Sequence, residues 1–328
     1  MNTSKIKILW THTFDPKISG SGNFMYNFQK NIICSTFEIK FLYLGRLNNP
    51  LNLLRAIIKL KKCEDNFDII HAQFGSMCGF ITSFSSKNKI ITLRGSDWHI
   101  YKGNDLKEKI HAYIANFLTK ISLSKFNEII VMSNRMKMEI EKKFPNKKLS
   151  IVTDPIDNQL FKPINKEFAR RYYFNTDSKS PWILITTLSK SNPIKRIDIA
   201  IRAVEIVKEI VPNIELKIAT NVPYHEMPFF VSSCDLTLCT STHEGWPNFI
   251  KESLACEIPF ISTDVSDLRF IAKKYNSCKI ASDTPEKIAE CIIDSLNFKQ
   301  HENLSECISD FTIPVAVKKL QNIYINTR

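Results

Sequence analysis

Asp235-Leu236-Thr237-Leu238-Cys239-Thr240-Ser241-Thr242-His243-Glu244-Gly245-Trp246-Pro247-Asn248-Phe249-Ile250-Lys251-Glu252-Ser253-Leu254-Ala255 decides how this chain folds. Its first five residues make a short run of strand type, and the loop that follows holds Gly245. Pro247 suits the first position of a helix, where its fixed φ fits and its missing N–H would be idle in any case. The pattern predicts a helix over 247–255, after which Pro259–Ser262 reads as a further strand. Strand, helix and strand in succession make a crossover unit with parallel strands. Gly245 is the only glycine after residue 103, while seven others lie between residues 20 and 103. A chain so sparing of glycine places one where a side chain is not tolerated, at a positive φ or beside a ligand.

The alternation extends in both directions from this unit. Trp182–Thr187 and Glu215–Ala219 read as strands around a helix at Arg196–Ile210, and helices at Pro285–Leu296 and Pro314–Ile325 follow. In the first half, Lys5–Thr11, Glu38–Leu44, Asp68–Gln73, Lys89–Leu93, Glu128–Met132 and Leu149–Thr153 read as strands. Asn23–Ile33, Leu51–Lys62, Leu106–Ser122 and Ser133–Phe144 read as helices between them, the last with Ser133 as its N-cap. Such alternation predicts parallel strands covered on both faces by helices. Asp154-Pro155, Lys162-Pro163 and the polar stretch Asn175–Pro181 interrupt it and suit a connection between domains. A length of 328 residues fits two such domains. The expected architecture is α/β, with two Rossmann-like doubly wound domains facing across a cleft at their strand C-termini. Residues 1–163 are expected to form the first domain and 164–310 the second, with 311–328 a terminal helix packing back towards the first.

Composition narrows the function classes. A hydrophobic fraction of 44% and a charged fraction of 24% are those of an ordinary soluble globular protein. No run reaches the ~18 consecutive apolar residues of a membrane span. Residues 1–10 lack the apolar region and cleavage site of a secretory signal, so the expected location is the cytoplasm. Nine irregularly spaced cysteines, none in a Cys-x-x-Cys pair, read as reduced and mostly buried thiols with no zinc site among them. The net charge of +12 is lopsided: residues 1–160 hold 24 Lys and Arg against 13 Asp and Glu, the remainder 21 against 20. A one-sided basic surface suggests an anionic partner, and no nucleic-acid-binding module is present, so an anionic membrane surface or a pyrophosphate-bearing molecule is expected. The plain alternative is a set of solvated, lysine-rich helix faces.

The quoted loop has the chemistry of a nucleotide-sugar site. The amides of Asn248 and Phe249 would point out of the helix start towards phosphate oxygens. Glu252, further along the helix, can accept two hydrogen bonds from a vicinal diol such as ribose, and Glu244 can accept from sugar hydroxyls. Lys195, in Pro193-Ile194-Lys195-Arg196 just before a helix, can neutralise a pyrophosphate as charge builds on it. Ser19-Gly20-Ser21-Gly22-Asn23, between the first strand and first helix, is a small-residue loop able to approach a donor or acceptor, though it is no G-x-G-x-x-G fingerprint.

Glu244 and Glu252, with seven residues between them and Glu244-Gly245-Trp246-Pro247-Asn248 as the opening, resemble the E-x7-E motif of retaining family 4 glycosyltransferases. The likeness runs over almost the whole chain, through the small-residue loop, Thr92-Leu93-Arg94-Gly95-Ser96-Asp97, Asp154-Pro155-Ile156-Asp157 and Pro193-Ile194-Lys195-Arg196. It implies the GT-B fold, with the acceptor on the first domain and the nucleotide-sugar on the second. It implies catalytic roles for Glu244, Lys195 and Arg94. Donor binding would fall to Glu252, Gly245, Trp246, Pro247, Asn248, Phe249, Lys190, Gly20 and Gly22, and the acceptor side to His71, Asp97, Ser21 and Asn23. The chain departs from its relatives at three places. Arg94 stands where many carry histidine, Ser189 (with Lys190 beside it) replaces a frequent arginine, and Gln73 replaces a second histidine after His71. A lone histidine after a strand is otherwise a packed, hydrogen-bonded residue. No Asp-x-Asp occurs, so no metal and no cofactor is expected, and the positive charge would come from Lys195, Lys190, Arg94 and helix dipoles.

The implied activity is a retaining, metal-independent transfer of a hexose-type sugar from a nucleotide-sugar to a glycan or polyprenyl-pyrophosphate-linked acceptor. The setting it suggests is bacterial surface polysaccharide synthesis (O-antigen of lipopolysaccharide, capsule or exopolysaccharide), with the protein peripheral on the cytoplasmic face of the inner membrane. Two alternatives stand beside it: a nucleotide-sugar epimerase on the same fold, and a catalytically degenerate nucleotide-sugar-binding protein.

Overall fold

The structure, a computed structural model, describes residues 5–17, 22–32, 36–47, 49–100, 106–187, 189, 192–298 and 300–328. The chain divides into two compact units, Met1–Pro155 with Ile313–Arg328, and Ile156–Thr312. In the first unit β1 (Ile6–His12), α1 (Asn23–Ile32), β2 (Phe37–Tyr43), α2 (Pro50–Cys63), β3 (Ile69–Ala72) and α3 (Ser76–Thr82) alternate. β4 (Asn88–Thr92), α4 (Leu106–Leu123), β5 (Glu128–Val131), α5 (Asn134–Glu141) and β6 (Lys148–Ile151) continue the series. The six strands are parallel, in the order β2-β1-β3-β4-β5-β6.

The second unit contains α6 (Lys166–Phe174), β7 (Trp182–Thr186), α7 (Ile197–Lys208), β8 (Glu215–Ala219), α8 (Met227–Ser232) and β9 (Leu236–Cys239). α9 (Asn248–Ala255), β10 (Phe260–Ser262), α10 (Leu268–Lys274), β11 (Lys279–Ile280) and α11 (Pro285–Asn297) complete it. Its five parallel strands run in the order β11-β10-β9-β7-β8. Both sheets are thus the doubly wound parallel kind expected of GT-B proteins. The last helix, α12 (Ile313–Thr327), returns to the first unit and packs against α1.

The two-residue period of β1 shows why both faces of the first sheet are covered. Ile6, Ile8 and Trp10 point into one buried cluster with α1 and α12, while Leu9 points into the other, beneath α2 to α5. Full burial of each such side chain stabilises the fold by about 1.5–3 kcal/mol. Ser133 caps α5 through its hydroxyl, which accepts from the Met136 amide at 3.3 Å.

Three helices depart from the sequence-based reading. α6 falls in the stretch expected to be irregular. Asn165 caps it, accepting from the Phe168 amide at 2.9 Å, and Asn175 ends it in the left-handed region at φ 51°. Only Ala169 and Arg170 of this helix are buried, so no apolar stripe announces it. α8 and α10 have six and seven residues, too few for a 3.6-residue period to show. Pro247 stands one position earlier than expected: it is the N-cap, with extended ψ of 114°, and α9 begins at Asn248. Among the described residues no helix is long and apolar enough to cross a membrane.

Candidate functional site

In the second unit β7 has β8 on one side and β9 on the other, so the chain leaves β7 in one direction and returns in the other. The loops after β7 and β9 diverge from neighbouring strands at this switch point, the place where open α/β sheets bind ligands. Lys195 lies on the first loop and Glu244 on the second. Hydrogen bonds lash the loops together. The Thr240 hydroxyl donates to the Lys195 carbonyl at 2.6 Å, the Thr242 amide to the Ile194 carbonyl at 2.9 Å, and Arg196 Nε to the Thr240 carbonyl at 2.8 Å. Arg196 itself sits at φ 46° and also pairs with Asp283 at 2.9 Å. Sequence reading missed these braces, because the partners lie more than forty positions apart and nothing local marks them.

The lashing brings Lys195 Nζ to 2.7 Å from Glu244 Oε1. The Ser241 hydroxyl donates to the same oxygen at 2.7 Å, and the ammonium lies 5.0 Å from the centre of the Phe249 ring. Both charged side chains are largely enclosed, at 22% and 18% exposure. Burial pulls the Lys195 pKa down, but the Glu244 carboxylate more than offsets this and leaves it above the ordinary lysine value. Lys195 is therefore a fixed positive charge at the mouth of the two loops.

The start of α9 lies on the same loop as Glu244. The amides of Asn248 and Phe249 donate to no described residue, and Ile250 is the first whose amide turns back, to the Pro247 carbonyl at 3.2 Å. Idle amides and the positive end of the helix dipole together favour an anion here. Asn248 is exposed, whereas Phe249 and Trp246 are buried, Trp246 against Phe311 with ring centres 4.7 Å apart. Gly245 does not adopt a positive φ; its carbonyl accepts from the Ser266 hydroxyl at 2.7 Å. Glu252, one turn into the helix, is half-buried and its carboxylate accepts no hydrogen bond from a described residue. Burial pushes its pKa up to about 7, with Lys251 opposing the shift. Tyr224 faces this region, its phenol raised by burial and by the nearby Glu252 and Asp157 carboxylates.

In the first unit the predicted residues separate into different roles. His71 is buried, with Nδ1 2.8 Å from the Tyr324 hydroxyl and Nε2 2.7 Å from the Thr92 hydroxyl. Both ring nitrogens are occupied, so the expectation of an acceptor contact gives way to the packed role. Burial, and then Arg94, lower its pKa to about 3, so the ring is neutral. Asp97 is likewise buried, accepting from the amides of Gly75, Arg94 and Gly95 at 2.8–3.2 Å. Its role in the structure is to shape the loop after β4, not to face an acceptor. Arg94 donates through Nε to the Gln73 carbonyl at 3.0 Å, pairs with Asp154 and stacks over Phe24 at 3.9 Å. Its charge is already compensated within the unit. Gly22 has φ +73°, and a Cβ there would meet the Phe14 Cβ at 3.0 Å. Its carbonyl starts α1 by accepting from the Met25 amide at 2.9 Å. Gly20, Ser21 and Lys190 lie outside the described residues, as does the side chain of Asn23. No group of three or more His, Cys, Asp and Glu placed to hold a metal ion occurs among the described residues.

Known proteins share this fold. The pattern of the family described as "Glycosyl transferases group 1" matches residues 205–297, which include both glutamates. The putative teichuronic acid biosynthesis glycosyltransferase TuaC of Bacillus subtilis is 23% identical over 255 residues. That match covers 72% of this chain and 64% of the relative, so the aligned region spans about two thirds of that protein's length. Among solved structures, sucrose-phosphate synthase from Thermosynechococcus elongatus superposes with a TM-score of 0.77 at 12% identity, covering 98% of this chain and 99% of that one. Anabaena Alr3699/HepE in complex with UDP-glucose superposes with a TM-score of 0.72 at 12% identity, covering 98% and 100%. Over residues 205–297 the chain is thus similar to the glycosyl transferases group 1 family, and its paired parallel sheets have the GT-B fold.

Proposed function

We propose that this protein is a retaining, metal-independent glycosyltransferase that moves a hexose-type sugar from a nucleotide-sugar donor to a glycan or lipid-linked acceptor. The observation that carries the reading is the cluster at the switch point of the second unit. Lys195, held charged, pairs with Glu244, and the helix that follows on the same loop, α9, offers two idle amides at its start and an idle Glu252 carboxyl one turn further along. Each element meets one part of a nucleotide-sugar. Glu252 takes the ribose diol, the α9 amides and Lys195 take the diphosphate, and Glu244 orients the sugar ring.

The chemistry follows from where charge develops. As the glycosyl bond breaks, negative charge grows on the departing phosphate, and Lys195 with the α9 amides is already aimed at it. Lys195 exchanges its bond to Glu244 for one to the phosphate, which frees Glu244 for sugar hydroxyls. Front-face departure and attack would let the leaving phosphate accept the proton of the acceptor hydroxyl. The basic first unit suits an anionic, pyrophosphate-linked acceptor at a membrane surface, and surface polysaccharide assembly is the setting this supports. The biosynthetic role in the name of the TuaC relative points the same way.

A thermal-shift panel of nucleotide-sugars tests the donor site. A true donor at 100 times its dissociation constant adds about 2.7 kcal/mol to the folded state. That shift should vanish in Glu252→Ala and shrink in Lys195→Ala. If no nucleotide-sugar moves the transition, or if Glu252→Ala responds as the wild type does, the assignment is wrong. Product anomeric configuration, read by NMR, tests retention.

A further inference from the structure

Helix α4 is amphipathic in the inverse of the usual sense. Apart from Leu123 at its C-terminal end, which joins the core, the side it turns to the protein is small and polar: Ala112, Asn116, Thr119 and Ser122 are buried. These residues satisfy themselves locally. Asn116 donates to the Trp98 carbonyl, Thr119 accepts from the Ser76 amide at 2.7 Å, and Ser122 donates to the Thr119 carbonyl at 2.8 Å. The outer side carries Leu106, Ile110, Tyr113, Ile114, Phe117 and Ile121, all exposed, with Leu106 at 73% and Phe117 at 58%. At about 100° per residue these six fall within one arc of roughly 100°, a single continuous stripe. Scattered surface apolar residues need no explanation, but a six-residue stripe on one helix marks a contact surface.

The flanks of the stripe identify what it contacts. Lys107 borders it on one side and Lys109 and Lys120 on the other, by the same helical spacing. Lys120 and, from the neighbouring α5 region, Lys143 lie 5.6 and 5.2 Å from the centre of the Trp98 ring. Burial and then the Lys143 charge lower the Lys120 pKa, so these cations crowd one another. None of the four lysines forms an ion pair with a described residue. A second copy of this chain laid on the stripe would set lysine against lysine. An anionic lipid leaflet meets both features, acyl chains for the stripe and phosphates for the flanking ammonium groups.

We propose that α4 is a membrane-docking helix, lying in the plane of an anionic bilayer with Tyr113, Phe117 and Ile121 sunk below the headgroups. This deepens the membrane-surface reading of the acceptor given above by naming the element that inserts. It rests on the packing of the first unit and not on the donor assignment.

Co-sedimentation of the full chain with vesicles of pure phosphatidylcholine, or with added phosphatidylglycerol, tests it. The wild type should bind the anionic vesicles, and raising salt from about 0.1 M to about 0.5 M should weaken binding without abolishing it. The exposed double variant Phe117→Glu/Ile121→Glu should lower the bound fraction about tenfold while keeping the wild-type melting temperature and nucleotide-sugar thermal shift. The Tyr113→Trp variant should gain an emission component that shifts to the blue on anionic vesicles. Equal binding of the double variant, with full loss at high salt, would leave an electrostatic membrane surface and overturn the role of α4. Absence of binding by the wild type overturns both. Concentration-dependent dimerisation of the wild type in lipid-free ultracentrifugation, lost in the double variant, would assign the stripe to a second copy instead.

Discussion

Burial holds the Glu252 carboxyl at a pKa of about 7, against an ordinary value of 4.5, and this has a stability consequence at the level of the single residue. An acid raised in the folded state is favoured there while protonated, so its contribution is present below pH 4.5 and is lost as the pH rises through about 7. Glu252→Gln should therefore raise stability at pH 8 by on the order of 2 kcal/mol and leave it nearly unchanged at pH 5. Thermal unfolding at the two pH values reads the difference, and an equal shift at both would show that the carboxyl is not held protonated. The same variant should lose donor affinity, because a carboxamide accepts fewer hydrogen bonds from a diol than a carboxylate does. Lys195→Ala removes the fixed charge and leaves Glu244 without its ammonium partner. The value of kcat/KM for transfer should fall roughly hundredfold or more. Retention of most activity would take Lys195 out of the chemistry.

α12 is the element on which the first unit most visibly depends. Tyr324 is buried among Trp10, Phe37 and His71, and its hydroxyl lies 2.7 Å from Trp10 Nε1 and 2.8 Å from His71 Nδ1. Trp10 can only donate, so the Tyr324 oxygen accepts from it. The Tyr324 proton is then used if it points to His71 Nδ1, which leaves Nε2–H to donate to Thr92. Tyr324→Phe leaves both Trp10 and His71 short of a buried partner and should cost about 2–3 kcal/mol. Denaturant titration of the variant checks this, and a cost near zero would mean that water replaces the hydroxyl. The cap of α5 is a smaller matter: Ser133→Ala should cost about 1 kcal/mol. The helices expected at 106–122 and 285–296 occur within a residue or two of those positions, because each carries a sustained pattern and clear ends. α6, α8 and α10 were not legible: α6 and α10 bury only two and one of their residues, and α8, though largely buried, has only six residues and so no period to read.

At the scale of the whole molecule, the two buried histidines of the first unit and Glu252 of the second respond to pH with opposite sign. His71 and His12 lie in the first unit with pKa values lowered to about 3 and about 4, in each case chiefly by burial. A base depressed in the folded state is protonated more readily when unfolded, so stability falls as the pH drops from 6.5 towards those values. Glu252 in the second unit loses stability in the opposite direction, between pH 4.5 and about 7. Unfolding of the first unit, followed by tryptophan fluorescence through Trp10 and Trp98, should therefore move to lower denaturant between pH 6.5 and pH 4. His71→Gln should flatten that dependence. A first-unit transition indifferent to pH over this range would show that His71 is not held neutral by its surroundings.

The sequence by itself determined the class of fold and the position of the strand, loop and helix that carry the proposed donor site. Strand and helix periods, Pro247 and Gly245 are local signals, and local signals survive translation into structure almost unchanged. It also proposed the two glutamates and Lys195 as one functional set, through the spacing of a short motif and a family likeness. Only the tertiary structure decided what those residues touch. Lys195 and Glu244 are 49 positions apart and meet because β7 and β9 are neighbours at the switch point, held by Thr240 and Arg196. His71 looked like a ligand contact until Tyr324, 253 positions away, closed its Nδ1. Burial and pairing depend on which distant segments pack together, and no window of sequence contains that information.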